Sequence, residues 1–178
     1  MLDEGSLSAL ERQYRDWLSS AKTLLEAHDY RTAFSTYPFV RNEHAPWAPV
    51  AKPLHESLVA LVSTGGFYVR GVQPAFDSAN IEGDLSYRAF SRTVAPGQLG
   101  IAHDHFPHRY AEADINTILP LDHMSDFEQE GLIGECEDTI YSITGYLTNT
   151  AAFMQTTAQE IAQRLKDAQV DVALLIPV

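Results

Sequence analysis

The stretch that most limits what this chain can fold into is the apolar run Leu58-Val59-Ala60-Leu61-Val62, which passes straight into Ser63-Thr64-Gly65-Gly66. A run that short, closed by Gly-Gly, reads as a strand buried on both faces, the kind found in parallel sheets. Ligands of open α/β sheets bind just beyond the carboxyl ends of such strands. Ser63 to Gly66 is therefore the first place to look for a site. A lone Gly-Gly can equally do no more than turn the chain, and no phosphate-loop or dinucleotide fingerprint accompanies it.

At 178 residues the chain suits one domain with a sizeable core. With 24 acids against 12 bases the net charge is −12, which repels nucleic acid and anionic membrane and argues against both as partners. The single cysteine, Cys136, rules out an internal disulfide and fits a reducing compartment. No stretch has the length of a membrane span, and Met1–Leu10 has no basic start leading into a long apolar core. The expectation is a cytoplasmic protein.

Apolar residues at helical spacing predict a helix from Leu7 to about Leu25, with Ser6 as its cap. Tyr14 and Trp17 within it read as packing, and the helix can cover the domain or support a homodimer. Asp29–Pro53 carries Pro38, Pro46, Pro49 and Pro53 among aromatic residues, which forbids a long helix or central strand. It reads as a segment wrapped on the core surface, with His44 at the surface. Residues 1–50 are thus a helix and arm, and 51–178 the main domain. Phe67–Asp84 reads as a long loop, Tyr87–Val94 as a strand, Ile115–Pro120 as a strand or extended piece, and Met124–Glu130 as a helix capped by Asp122 or Ser125. Thr139–Leu147 is a strand broken at Gly145. Asn149 or Thr150 caps a helix to about Ala168, and Val170–Val178 is another buried-type strand. Strand, helix, strand makes a βαβ unit. The fold class is α/β, a three-layer sandwich around a mainly parallel sheet.

Three groupings can carry chemistry. His103, Asp104, His105 and His108 are the densest set of potential metal ligands, with His123 or Asp114 available to complete it. The same histidines can bind an anion, shuttle protons, or rest satisfied in a loop. Glu82, Asp84 and Arg88 can form a clamp for a substrate carboxylate or a surface ion pair beside a turn. Cys136 sits among Glu135, Glu137 and Asp138, a poor setting for a thiolate nucleophile, and reads as structural. Ser142 and Thr144 support no defensible Ser-His-Asp order.

Several stretches in order resemble one family. They are Lys52-Pro53-Leu54, Val59 to Gly66, Pro74-Ala75-Phe76-Asp77, Gly83-Asp84-Leu85-Ser86-Tyr87-Arg88, Asp104-His105-Phe106 and Asp114-Ile115-Asn116. Leu119-Pro120-Leu121-Asp122, Glu130 to Gly134 and Tyr141 to Tyr146 follow. From about residue 50 onward the chain resembles the selenoprotein B group of the glycine, sarcosine and betaine reductases and D-proline reductase. That resemblance implies reductive cleavage of a carbon–nitrogen bond in an amino-acid-type substrate, with reductase partner subunits. A selenocysteine, or a cysteine in some relatives, attacks carbon, and thiols reduce the resulting bond. It leaves Thr64, Gly65, Gly66, Asp84, Arg88, His105 and Asn116 as candidates for shaping a small-molecule pocket.

In the family the nucleophile follows a strand like Leu174-Leu175-Ile176-Pro177-Val178, within a Cys/Sec-Pro-x-Cys-like motif. The sequence stops at that point. A buried-type strand ending there puts a charged carboxylate where a site-forming loop begins. The expectation is a chain cut short of its redox motif, as when a selenocysteine UGA codon is read as stop. No cofactor is then held by these residues, selenocysteine lies beyond Val178, and Cys136 is no substitute. Two other readings stand beside this one. One is a non-catalytic small-ligand-binding or assembly subunit. The other is a metal-dependent enzyme using His103, His105 and His108.

Overall fold

The computed structural model describes residues 3–41 and 47–178. His44 and Pro46 fall outside the described residues. Six α-helices are present among them: α1 (Glu4–Glu26), α2 (Tyr30–Ala33), α3 (Arg109–Ala113), α4 (Leu121–Gln129), α5 (Thr150–Gln155) and α6 (Thr157–Asp167). The strands are β1 (Leu58–Ser63), β2 (Phe67–Val69), β3 (Arg88–Ser91), β4 (Leu99–Ile101), β5 (Glu135–Cys136), β6 (Thr139–Ser142) and β7 (Val172–Ile176).

The fold is mixed α/β with a mostly parallel sheet, and β1 is its centre. β5 pairs with the first half of β1 and β6 with the second half, both parallel, along one side. β7 pairs parallel along the other side, from Val59–Val172 to Ser63–Ile176. β3 is added antiparallel outside β6. Side chains alternate across a strand. Val59 and Leu61 join one apolar cluster with Phe90, Leu119, Met124 and Ile140, while Val62 joins a second with Tyr141, Ile143 and Ile161. Both faces of β1 are therefore dry, which explains its unbroken apolar run. β2 and β4 form a separate antiparallel pair, and Phe67, Val69 and Leu99 belong to the first cluster.

Helix α1 follows the expected periodicity, burying Leu7, Leu10, Tyr14, Trp17, Ala21 and Leu25. Its cap is Asp3 rather than Ser6: the Asp3 carboxylate accepts from the Ser6 N–H at 2.7 Å. Tyr14 and Trp17 are spent within the chain. The Tyr14 hydroxyl donates to Glu82 at 2.6 Å and meets Thr148 Oγ1 at 3.1 Å, and Trp17 Nε1 donates to the Ala33 carbonyl at 2.9 Å. Tyr37 donates to the Thr148 carbonyl at 2.6 Å. The helix and the aromatic segment after it are thus tied to the loop at residue 82 and to the start of α5.

Further expectations are corrected. Ile115–Thr117 is a 3-10 turn rather than a strand, because the Asp114 carboxylate accepts from the Asn116 N–H and starts a turn. α4 begins at Leu121, with Pro120 at its cap position and no side-chain cap, so neither Asp122 nor Ser125 has that role. The last helix is broken at Thr156 (φ −119°, ψ −93°) into α5 and α6, with Asn149 capping the first. β7 is not buried on both faces. Among the described residues it has a strand on one side only, and Leu175 is 67% exposed. The short strand β2 lies where loop was expected, and its partner β4 lies where no element was assigned.

Leu61 is fully buried at the centre of the first cluster. Leu61→Ala is expected to lower unfolding free energy by about 2–5 kcal/mol in urea denaturation. A loss under about 1 kcal/mol would mean that β1 is not the packing centre. Tyr14→Phe is expected to cost about 1–2 kcal/mol and to raise proteolysis of α1 before the rest of the chain. Uniform cleavage rates would remove the tie between α1 and the loop at residue 82.

Candidate functional site

The carboxyl ends of β1 and β6 meet at one corner. The Gly66 N–H donates to the Ile143 carbonyl at 2.9 Å, and the Ala102 N–H donates to the Gly66 carbonyl at 2.9 Å. Gly66 has φ +67°, and a side-chain carbon there would lie 2.7 Å from the Ala102 carbonyl oxygen. Only glycine lets the segment after β4 come this close, and that approach seats His103 beside the sheet end. Gly65 is equally crowded, with Phe67 and Ile118 against the place of a side chain. Both glycines serve packing, and Thr64 is the residue of the corner that offers a side chain.

His103 is 4% exposed. The His105 N–H donates to its Nδ1 at 3.2 Å, while its Nε2 is buried without a hydrogen-bond partner among the described residues. His108 uses its Nε2 on the His103 carbonyl at 2.7 Å. His105 stacks on Tyr146 at 4.1 Å between ring centroids, and Tyr30 stands edge-on to both. His103 Nδ1 and His108 Nε2 are thus each engaged within the loop. Among the described residues no group of three or more His, Cys, Asp or Glu side chains is arranged to hold a metal ion.

A recess lined by Asp84, His103, Asp104, His105, Thr144 and Tyr146 opens beside a groove of about 590 Å³. Leu25, Glu26, His28, Tyr30, Asp104, His105 and Tyr146 line the groove. The amino-terminal arm therefore supplies one wall. The loop at 77–84 supplies another and is pressed against the strand end. Gly83 has φ +86°, and a side-chain carbon there would collide with the Tyr146 carbonyl at 2.1 Å.

Of the other sequence candidates, Asp84 stays at the recess with its carboxylate committed to its own loop, and the rest separate from this corner. The Asp84 carboxylate accepts from the Asp77 N–H at 2.9 Å and the Ser86 N–H at 2.8 Å, and it also bonds the Ser86 hydroxyl. Those bonds hold its pKa below the ordinary carboxylate value against the upward push of burial. Arg88 donates to the Pro74 and Ala75 carbonyls and to Ser86, and lies over the Phe76 ring at 4.1 Å. It braces the loop, and Glu82 is taken by Tyr14. Asn116 bonds Asp114 and Asp122 and lines a different cavity of about 460 Å³ with Arg70 and His108. Cys136 is 1% exposed, and burial raises its thiol pKa. Gly145, Tyr146 and Tyr30 belong to the corner but were not singled out as site residues, whereas Asp104 was named only within the histidine cluster. The break at Gly145 in a β-branched and aromatic run was the available signal.

Burial holds His103 and His105 below the ordinary histidine range, and for His103 the neighbouring His105 adds to it. The folded chain therefore prefers both rings neutral. The unfolded chain takes up protons near pH 6.5, so it binds more protons below that point. The stability they contribute is intact above about pH 6.5 and is lost as pH falls through the lowered folded values. Urea midpoints are expected to drop between about pH 7.5 and about pH 5.5, and the drop should shrink in the His103→Gln, His105→Gln double variant. An equal drop in both proteins would show that other groups carry the dependence.

Known proteins resemble this chain along most of its length. The family model for glycine/sarcosine/betaine reductase selenoprotein B matches residues 21–177. The chain is 31% identical over 180 residues to a glycine reductase complex component B subunit gamma of Symbiobacterium thermophilum, covering 97% of this chain and 38% of that protein. It is 30% identical over 129 residues to D-proline reductase subunit gamma of Acetoanaerobium sticklandii, covering 72% of this chain and 52% of the relative. A betaine reductase complex component B subunit beta of Peptoclostridium acidaminophilum is 31% identical over 136 residues, covering 75% and 31%. The chain thus spans between about a third and a half of the length of these relatives. No solved structure matches it. With most of its length inside the family model, the chain belongs to the glycine/sarcosine/betaine reductase selenoprotein B family.

Proposed function

We propose that this chain is the part of a reductase complex that holds a small amino-acid-type substrate during thiol- or selenol-dependent cleavage of its carbon–nitrogen bond. The carrying observation is the corner where Thr64, His103, His105 and Tyr146 gather at the carboxyl ends of β1 and β6, within a family of reductase components. Substrates named for the relatives are glycine, betaine, sarcosine and D-proline, each a small carboxylate with a nitrogen at the adjacent carbon. The groove, whose lining includes Glu26, Asp104, Tyr30 and Tyr146, suits the cationic end of such a molecule. Partner subunits follow from the same reading, since the relatives are components of complexes.

The nucleophile, on this reading, does not come from Cys136. That thiol is buried, its pKa is raised, and it lies against Glu128 and Arg92 rather than at the strand ends. A soft nucleophile must be ionised and reachable, so the selenol or thiol is supplied by residues other than those of this sequence. His103, His105 and His108 as a metal centre is not favoured, because His103 Nδ1 and His108 Nε2 are engaged within the loop and no described group of three such side chains is arranged to hold an ion. The architecture is read as three layers, supported by α6 against one sheet face and the β2–β4 pair with α4 against the other. Residues 1–50 are read as an arm on the 51–178 domain, and the cytoplasm as its place. No described helix is long and apolar enough to cross a membrane.

Purified protein is expected to bind one or more of glycine, sarcosine, betaine and D-proline by calorimetric titration, with Tyr146→Ala weakening binding by about tenfold. With dithiothreitol and no partner subunits it is expected to release no amine, and Cys136→Ala should bind as the unmodified chain does. Amine release that Cys136→Ala abolishes would overturn the assignment of the nucleophile. Failure to bind all four ligands would overturn the substrate reading.

A further inference from the structure

We propose that the free edge of β7 is a docking surface for a strand–helix segment of another polypeptide of the reductase complex. The incoming strand adds parallel to β7, and the helix beside it covers Leu175. The surface lies outside the substrate recess, so the proposal does not depend on which molecule that recess holds.

The edge is open and apolar. Among the described residues, β7 pairs with β1 along one side and has no strand on the other. The Ile176 carbonyl accepts from the Thr64 N–H at the end of β1 at 3.0 Å. Alternate residues in a parallel ladder turn their backbone groups to opposite neighbours, so Ala173 and Leu175 offer theirs to the empty side. An unpaired row of this kind is a template for another strand, and folded proteins shield it with charge or proline. β7 has neither. It reads Val172-Ala173-Leu174-Leu175-Ile176, with Leu174 and Leu175 both exposed.

The cover this edge lacks is a helix as well as a strand. Leu175 pairs in register with Val62, so it shares the sheet face that α6 covers through Ile161. One flank of α6 is turned away from β7. There Glu160 accepts from the hydroxyl of Tyr87, just ahead of β3, at 2.7 Å, and Arg164 donates to Glu160 at 3.0 Å. Ala158 and Ala162 lie on the opposite flank, toward β7, where with Met154 and Lys166 they line a groove of about 380 Å³. Packed helices lie about 8–10 Å apart and neighbouring strands about 4.8 Å apart, so α6 over β1 and β6 leaves β7 outside its cover. A second copy does not fill that space. Two β7 strands joined about a two-fold axis set the two α6 helices about four strand spacings apart, or about 19 Å, with Leu175 of each copy between them. The net charge of −12 also opposes a like chain. The relatives, by contrast, share only between about a third and a half of their length with this chain and are named as components or subunits of reductases. A strand that runs parallel, as β5, β6 and β7 do to β1, ends where they end, so the loop after it emerges beside Thr64.

The first arm of the experiment uses the unmodified chain alone. Light scattering is expected to give a monomer. The Ala173 and Leu175 amides are expected to exchange with deuterium about a hundredfold faster than those of Leu174 and Ile176. A dimer in which Ala173 and Leu175 are protected gives the edge to a second copy and overturns the proposal. The second arm places a benzoylphenylalanine photocrosslinker at the exposed Leu175 position of the full chain, expressed in the cells it comes from. Illumination is expected to link it to one segment of another polypeptide, which peptide mapping by mass spectrometry identifies as an apolar strand next to a helix. Ala173→Pro is expected to lower the yield of that link about tenfold with the Ile176 amide still protected, because proline removes an outward N–H yet is tolerated at a strand edge. The identity of the linked segment needs no proline, and it decides the outcome where Ala173→Pro fails to fold. A link to β7 of a second copy, links scattered over many proteins, no link, or a link that folded Ala173→Pro leaves unchanged each overturn the proposal.

Discussion

The structure depends on burying β1 on both faces while pairing it on both edges. Residues Val59 to Ser63 bond to β7 along one side, and β5 and β6 divide the other. Each fully buried valine or leucine there contributes about 1.5–3 kcal/mol of transfer free energy. The strand cannot then end gradually, because its last backbone groups are also dry. The Thr64 N–H goes to the Ile176 carbonyl, the Ser63 hydroxyl donates to the Ile118 carbonyl, and the Phe67 N–H donates to the Ser142 hydroxyl. Ser63 and Ser142, fully buried, are the plugs that satisfy this end of the sheet. The chain must turn at once, and the two glycines are what the turn requires.

That turn determines where chemistry can occur. Gly66 carries the segment after β4 against the sheet end, so His103 arrives buried and His105 arrives beside Tyr146. The amino-terminal arm then closes the groove from outside through Tyr30, and its hold is polar as well as apolar. Tyr14 and Tyr37 both reach the Thr148 region, and Tyr14 also holds Glu82 of the opposite loop. Loss of the arm would open the groove without touching the sheet. Tyr14, Trp17, Tyr30, Phe34 and Tyr37 are used within one chain, while Phe39 and Trp47 stay exposed.

The central strand was legible because an unbroken apolar run of that length has few other fates, and α1 because its period is long and regular. β2 and β4 were not, since three-residue strands carry too little pattern and pair through contacts far apart in sequence. Ile115 and Ile118 favoured extended structure, but the Asp114 carboxylate offered the backbone a local partner and won. The exposure of β7 could not be read at all, because an apolar strand looks the same whether or not a second neighbour covers it. Within the site, Thr64 and His105 were legible from their place after the strand and in the histidine cluster. Arg88 and Asn116 were grouped with them by sequence proximity to motifs, yet one braces a loop and the other belongs to a different cavity. Gly145 was seen only as a break in a strand, since the value of a missing side chain depends on what faces it.

The contrast between Cys136 and His103 argues for a division of labour. Both are buried, and burial moves both toward their neutral forms. For a thiol this means silence, because the neutral form is a poor nucleophile. For a histidine whose Nδ1 is already committed, it means a fixed Nε2 donor that needs no charge to act. A fold that neutralises its cysteine while orienting its histidine is arranged to bind and position. Arg88, the nearby guanidinium, is held by backbone carbonyls and the Phe76 ring, so it is committed to bracing the loop, and the neutral His103 ring is left as the oriented polar group at the strand ends.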